Sequence, residues 1–124
     1  MKKVFLMVVM MFTMSVYSFA EDNNATEIER VERYNIRVNA KKLANYLELA
    51  NDQFDAVEAI TDEFTNDMAF AATESNKTGL LAVTKNAVEK NIKHMSYVLN
   101  REQYHKYLTV LNATLNNRGI DVTE

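Results

Sequence analysis

No cysteine occurs among the 124 residues, which excludes disulfides, thiolate nucleophiles and cysteine-based zinc sites together. Proline is absent too, and glycine occurs only at Gly79 and Gly119. A chain this poor in helix breakers, with glycine confined to the gaps between periodic segments, reads as all-helical. His94 and His105 are the only histidines, and they lack the i, i+4 spacing of a ligand pair. Both read as surface or interhelix residues. No phosphate loop, nucleophile elbow or paired catalytic carboxylate motif is present. The expectation is a protein that is not an enzyme and has no cofactor and no metal.

What is there begins with residues 1–20, which have the form of an export signal. Lys2 and Lys3 make a charged start, and residues 4–14 are an apolar stretch too short to span a bilayer. Ser18 and Ala20 put small residues at −3 and −1 of a cleavage after Ala20. Without a cysteine near that point there is no lipid attachment, so a soluble periplasmic or secreted protein is expected, with no membrane span in the mature chain. Loss of Lys2 and Lys3 leaves 12 basic residues against 17 acidic ones, a net charge of −5 over the remaining 104 residues. That length suits a single helical domain, 21–124. Its acidic balance argues against a nucleic-acid partner.

The most complete helix signal lies over residues 99–119. Asn100 is a good N-cap, Gln103 stands at the capping-box position, and Leu99 and Tyr104 flank the cap as a hydrophobic staple. Tyr104, Leu108, Leu111 and Leu115 form one apolar stripe. Gly119 supplies a left-handed end, and Arg118 in the last turn opposes the helix dipole. A weaker copy of this beginning appears 50 residues earlier, at Leu49 to Val57.

The rest of the chain supplies partners for these helices. Residues 21–25 are polar. Thr26 and Glu29 suggest a capped start, after which Tyr34, Ile36 and Val38 alternate with polar residues at the strand period. Either the chain is broken near 34–38, the preferred reading, or one long helix runs to Leu49. In the first case Asn39 caps a new helix with Leu43 and Leu47 on its apolar face. Over 51–73, Phe54, Val57, Thr61, Phe64, Met68 and Ala71 follow a 3-4-3-4 spacing widened by Ile60. The outer face carries Asp52, Asp55, Glu58, Asp62, Glu63 and Asp67 without a basic residue. ESNKTG at 74–79 is a turn, and the helix from 80 to 98 buries Leu81, Val88, Ile92, Met95 and Leu99. The fold expected is all-α: a bundle of about four helices after the signal, with the second and third as an antiparallel hairpin. Lys85, Lys90 and Lys93 would complement the acidic helix across it.

Carboxylates in a row along a straight helix are poorly arranged for Ca²⁺, which takes oxygens from a curved loop. They read as a solvated or Lys-paired face. Arg30, Arg33 and Arg37 line one side of the first segment and either clamp an anion or pair with Glu29 and Glu32. Asn-x-Thr sequons at Asn24, Asn76 and Asn112 matter only in a host that glycosylates exported proteins.

Leu49-Ala50-Asn51-Asp52-Gln53 and Leu99-Asn100-Arg101-Glu102-Gln103 share Leu-x-x-x-Gln, an acid before the glutamine and an aromatic after it. This resembles the paired Leu-Thr-x-x-Gln motifs of the Spy/CpxP family of small exported helical proteins. The resemblance spans roughly residues 40–118 and carries Leu49, Gln53, Leu99 and Gln103 over as fold-defining positions. Asn100 replaces the family's second Thr and keeps its capping chemistry. Ala50 stands at the first Thr and has no capping atom, so Asn51 is expected to cap with a one-residue shift. The resemblance implies an ATP-independent chaperone or envelope-stress regulator. Its partners would be unfolded clients or a regulatory protein, with a possible homodimer. The Spy cradle is basic, whereas this chain is acidic. The alternative from the residues alone is a structural or partner-binding helical module.

Overall fold

The computed structural model describes residues 12–13 and 25–120. Apart from Phe12–Thr13, the expected leader lies outside the described residues, as do its cleavage point, residues 21–24 and the Asn24 side chain. Among the described residues the order is β1 (Phe12–Thr13), α1 (Ala25–Arg33), β2 (Arg37–Val38), α2 (Ala40–Leu47), α3 (Asn51–Ala71), α4 (Lys77–Val98) and α5 (Arg101–Asn117). The chain is an all-α bundle, with five described helices where about four were expected. Its two short strands form a single antiparallel pairing, Phe12 with Val38 and Thr13 with Arg37.

The preferred break at residues 34–38 is present, and it divides the stretch before α3 into two helices where the count of about four allowed one. Alternation sends Tyr34 and Ile36 into the core, where both are buried, while Arg37 stays outside. A helix cannot place residues two apart on one face, so the extended link displaces the continuous helix. The Tyr34 hydroxyl oxygen lies 3.0 Å from Thr84 Oγ1, tying the link to α4. Asn39 then caps α2 as expected, its side chain accepting from the Lys42 amide at 3.1 Å, and Leu43 and Leu47 are buried. Upstream, α1 starts at Ala25, so Thr26 is a helical residue and not the N-cap.

Helix α3 follows the 3-4-3-4 pattern. Val57, Thr61, Phe64, Met68 and Ala71 are buried, with Phe54 and Ile60 half-buried. Its partner starts earlier than its apolar residues suggest. Asn76 accepts from the Thr78 and Gly79 amides at 2.8 and 3.1 Å, so α4 begins at Lys77 and Gly79 belongs to its first turn. The hairpin is antiparallel: from Gln53 through Glu63 to Asp67, partners on α4 descend from Val98 through His94 to Lys90. The α3–α4 interface is the largest between elements.

Two buried faces are rotated from the expected stripes. On α4 the buried residues are Thr84, Ala87, Val88, Asn91 and Met95, while Leu81 and Ile92 are half-buried. On α5 they are Gln103, Tyr107, Val110, Leu111, Thr114 and Leu115, with Tyr104 and Leu108 at the margin. Polar side chains that find partners inside the bundle cause both rotations. The Tyr107 hydroxyl donates to Asn91 Oδ1, and Thr114 donates to the Val110 carbonyl at 2.9 Å. A stripe traced through apolar residues alone misses such positions.

Gly119 has the left-handed backbone its position predicts, with φ +70°. Arg118, however, serves another helix. Its Nη1 donates to the Glu32 and Arg33 carbonyls at 2.9 and 3.3 Å, at the C-terminal end of α1, where the Asn35 amide also bonds to the Glu32 carbonyl at 3.2 Å. Arg30 Nε donates to the Ala72 carbonyl at 2.8 Å, at the end of α3. Helix α1 is thus attached by guanidinium-to-carbonyl bonds, and its Ile28 and Val31 face solvent.

Burial pushes the Tyr107 phenol above its ordinary value of 10.0, against the opposing bond to Asn91. A phenol whose ionisation is suppressed only in the folded chain contributes stability below that value and loses the contribution as pH rises past it. Stability should therefore fall above about pH 10, with a shallower fall in Tyr107→Phe, measured by urea denaturation across pH. At pH 7 Tyr107→Phe should cost about 1–3 kcal/mol by leaving Asn91 without its partner, and the Asn91→Leu/Tyr107→Phe double variant should recover most of that loss.

Candidate functional site

The paired motif residues meet at one end of the bundle, where α2 passes into α3 and α4 passes into α5. In each junction a leucine, Leu49 or Leu99, packs on the core as the chain turns, with Leu99 the more deeply buried. The following helix then starts at the next residue but one. Asn100 caps α5 through its side chain, accepting from the Gln103 amide at 2.8 Å, and Gln103 Oε1 accepts the Asn100 N–H at 2.9 Å. The capping box is complete there.

At α3 only half of it forms. Gln53 Oε1 accepts the Ala50 N–H at 2.8 Å, but alanine offers no oxygen in return. The expected shift of the cap to Asn51 does not occur: Ala50 keeps the N-cap position in extended conformation and Asn51 is the first helical residue. A one-residue shift would turn Gln53 away from its partner across the junction.

That partner is Gln103. Gln53 Nε2 donates to Gln103 Oε1 at 2.8 Å, and Gln103 Nε2 donates to Gln53 Oε1 at 3.2 Å. The remaining donors cross over to helix ends. Gln53 Nε2 reaches the Val98 carbonyl at 2.9 Å, closing α4. Gln103 Nε2 reaches the Leu47 and Glu48 carbonyls at 3.2 and 3.3 Å, closing α2. Each glutamine thus begins its own helix, ends the helix leading into the other, and binds its counterpart. The fifty-residue offset relates the bonds to Val98 and Glu48, which correspond as Gln103 does to Gln53, while the bond to Leu47 and the Asn100 side-chain cap have no counterpart in the other half. All donors and acceptors of both amides are used, leaving no group free to act on a ligand.

Glu48 makes the α2–α3 corner possible and has no counterpart among the residues singled out from sequence. It lies in the left-handed region at φ 57°, which glycine occupies at far less cost. Nothing in a solvent-facing glutamate signals this; the tight LELAN connection is the only local hint. Lys106, one turn past Gln103, sits over the Tyr46 ring with Nζ 5.7 Å from its centroid, further joining α5 to α2. A cavity of about 110 Å³ opens beside the corner, lined by Leu47, Glu48, Asn100, Glu102, Gln103 and Lys106.

The other candidates do not converge into a site. Arg30 and Arg37 bond to the Ala72 carbonyl and to Asn35 Oδ1, and Arg33 lies over the Tyr34 ring. None of the three forms an ion pair with Glu29 or Glu32 among the described residues. Across the hairpin only Lys90 of the three lysines is paired, with Asp67 at 2.9 Å and Glu63 at 3.5 Å. The hydrogen bond to Asp67 holds its ammonium above the ordinary 10.5, with desolvation opposing it. His94 Nδ1 lies 3.1 Å from Glu63 Oε1, and His105 is exposed. No three His, Asp or Glu residues are grouped to hold a metal among the described residues. Asn76 is engaged as a cap, while Asn112 is exposed on α5.

Gln103→Ala should cost about 2–4 kcal/mol in chemical denaturation, because it removes a cap and orphans buried carbonyls. A double-mutant cycle with Gln53→Ala should return a coupling of about 1 kcal/mol. Glu48→Gly should stabilise the chain by about 0.5–1 kcal/mol through relief of the left-handed backbone. Comparison with protein-family models, with curated proteins and with solved structures finds no match to this chain.

Proposed function

We propose that this chain is an exported, non-catalytic protein-binding helical protein of the Spy/CpxP kind, acting as an ATP-independent chaperone or envelope-stress binding protein. The observation that carries the reading is the reciprocal Gln53–Gln103 pair, in which the two Leu-x-x-x-Gln motifs form one joint. Two motif copies that serve only as independent caps have no reason to meet. Exposed Ile28, Val31, Phe70 and Tyr97, set among charged side chains, supply the apolar contact points that holding a partly unfolded client requires. Capture and release would need no nucleotide, since the contacts are hydrophobic and reversible. Suppression of the light scattering of a denatured client by stoichiometric protein is the expected outcome. Absence of suppression at every ratio refutes the reading.

A second reading, a structural or partner-binding module, draws on the closed interior. The largest core side chains, among them Tyr107, Phe64, Ile36 and Leu43, are fully buried, so the main apolar stripes are already occupied. A monomer by light scattering that leaves a hydrophobic dye dark favours this module. A dye-binding species favours the chaperone.

A further inference from the structure

The outer face of the α3–α4 hairpin carries a second feature, away from the glutamine joint. Near the far end of α3, Phe70 is 63% exposed. It borders a cavity of about 160 Å³ lined also by Asp67, Val83, Asn86, Ala87 and Lys90. The apolar wall is Phe70, Val83 and Ala87, with room for one large apolar side chain. Lys90, the cation at this opening, is engaged by Asp67 and Glu63.

Back along α3 from Phe70, the spacing of three and four places Asn66, Asp62, Ala59, Asp55 and Asp52 on the same face. Asp52, Asp55 and Asp62 are exposed and form no ion pair among the described residues. Helix α3 has no Lys or Arg to offset them. On α4, Tyr97 is 72% exposed one turn beyond His94, which faces Glu63. By the hairpin register Tyr97 stands about 15 Å along the seam from Phe70. The face thus presents an apolar cavity at one end, a tyrosine towards the other, a row of carboxylates without ion pairs on its α3 side, and the exposed Lys93 one turn before Tyr97 on its α4 side.

We propose that this face docks a cationic amphipathic segment of a partner protein, with one large apolar side chain in the Phe70 cavity and Lys or Arg against Asp62 and Asp55. Charge complementarity selects the occupant: the acidic row repels an acidic segment and attracts a basic one without disturbing the Lys90 pairs. The inference rests on the protein-binding reading above and specifies its partner class.

The test uses the full chain and two fluorescent probes of equal length, an amphipathic Leu/Lys peptide and its Leu/Glu counterpart. The Leu/Lys peptide should bind, and weaken at least about tenfold as salt rises from about 50 to about 500 mM, whereas the Leu/Glu peptide should not bind. Phe70→Ser should weaken binding about tenfold through loss of the apolar anchor, and Asp55→Asn/Asp62→Asn should flatten the salt dependence. These positions are exposed, so unchanged thermal melts verify that the variants fold. Equal binding of both peptides, or indifference to Phe70→Ser, overturns the inference. Client protection without preference for the basic peptide overturns it while the chaperone reading stands. Specific binding of the basic peptide without client protection upholds it while that reading falls.

Discussion

A primary amide offers two donors and a carbonyl oxygen with two acceptor sites, and it becomes costly inside a protein when any goes unused. Gln53 and Gln103 meet this demand through each other. Their mutual bonds use one donor and one acceptor site apiece, and the rest go to the helix they begin and the helix end across the joint. Four helix termini, each with orphan backbone groups of its own, are served by two side chains. The arrangement fixes where α2 and α4 stop, where α3 and α5 start, and how the two pairs are offset. The apolar faces could slide along one another by a turn with modest loss. The amides could not.

At α1 the same principle operates with a different side chain. This helix contributes little apolar packing, and its Ile28 and Val31 face outward. Arg118 reaches back from the end of α5 to the terminal carbonyls of α1, and Arg30 reaches forward to the end of α3. Long side chains that satisfy backbone carbonyls hold a helix against the bundle while leaving its apolar residues accessible.

Inside the bundle, the Tyr107–Asn91 and Thr84–Tyr34 pairs set polar contacts within an otherwise apolar interior. They restrict which face of α4 meets α5 and where the extended link at 34–38 lies. Purely apolar helices of this length have several comparable packings, whereas a misplaced buried hydroxyl or amide carries a penalty. Asp52, Asp55 and Asp62 remain on the outside of α3, where water solvates them.

Much of the fold was legible in the chain itself. The lack of proline and the near lack of glycine indicated helices. Asn39 and Asn100 marked two N-termini, the 3-4-3-4 spacing marked the buried face of α3, and Gly119 marked an end. Each is a local effect, set within one turn of backbone or one helical face, and a linear sequence records such effects directly. The two Leu-x-x-x-Gln segments were visible as well, as separate helix beginnings. Their meeting was not, because 50 residues and two helices intervene between Gln53 and Gln103. The rotated faces of α4 and α5, the left-handed Glu48 and the reach of Arg118 to α1 escaped for the same reason. A polar residue shows in the sequence only as polar. Whether it faces water or closes a distant helix depends on which carbonyls the packed chain brings within reach, and that was decided by the tertiary structure alone.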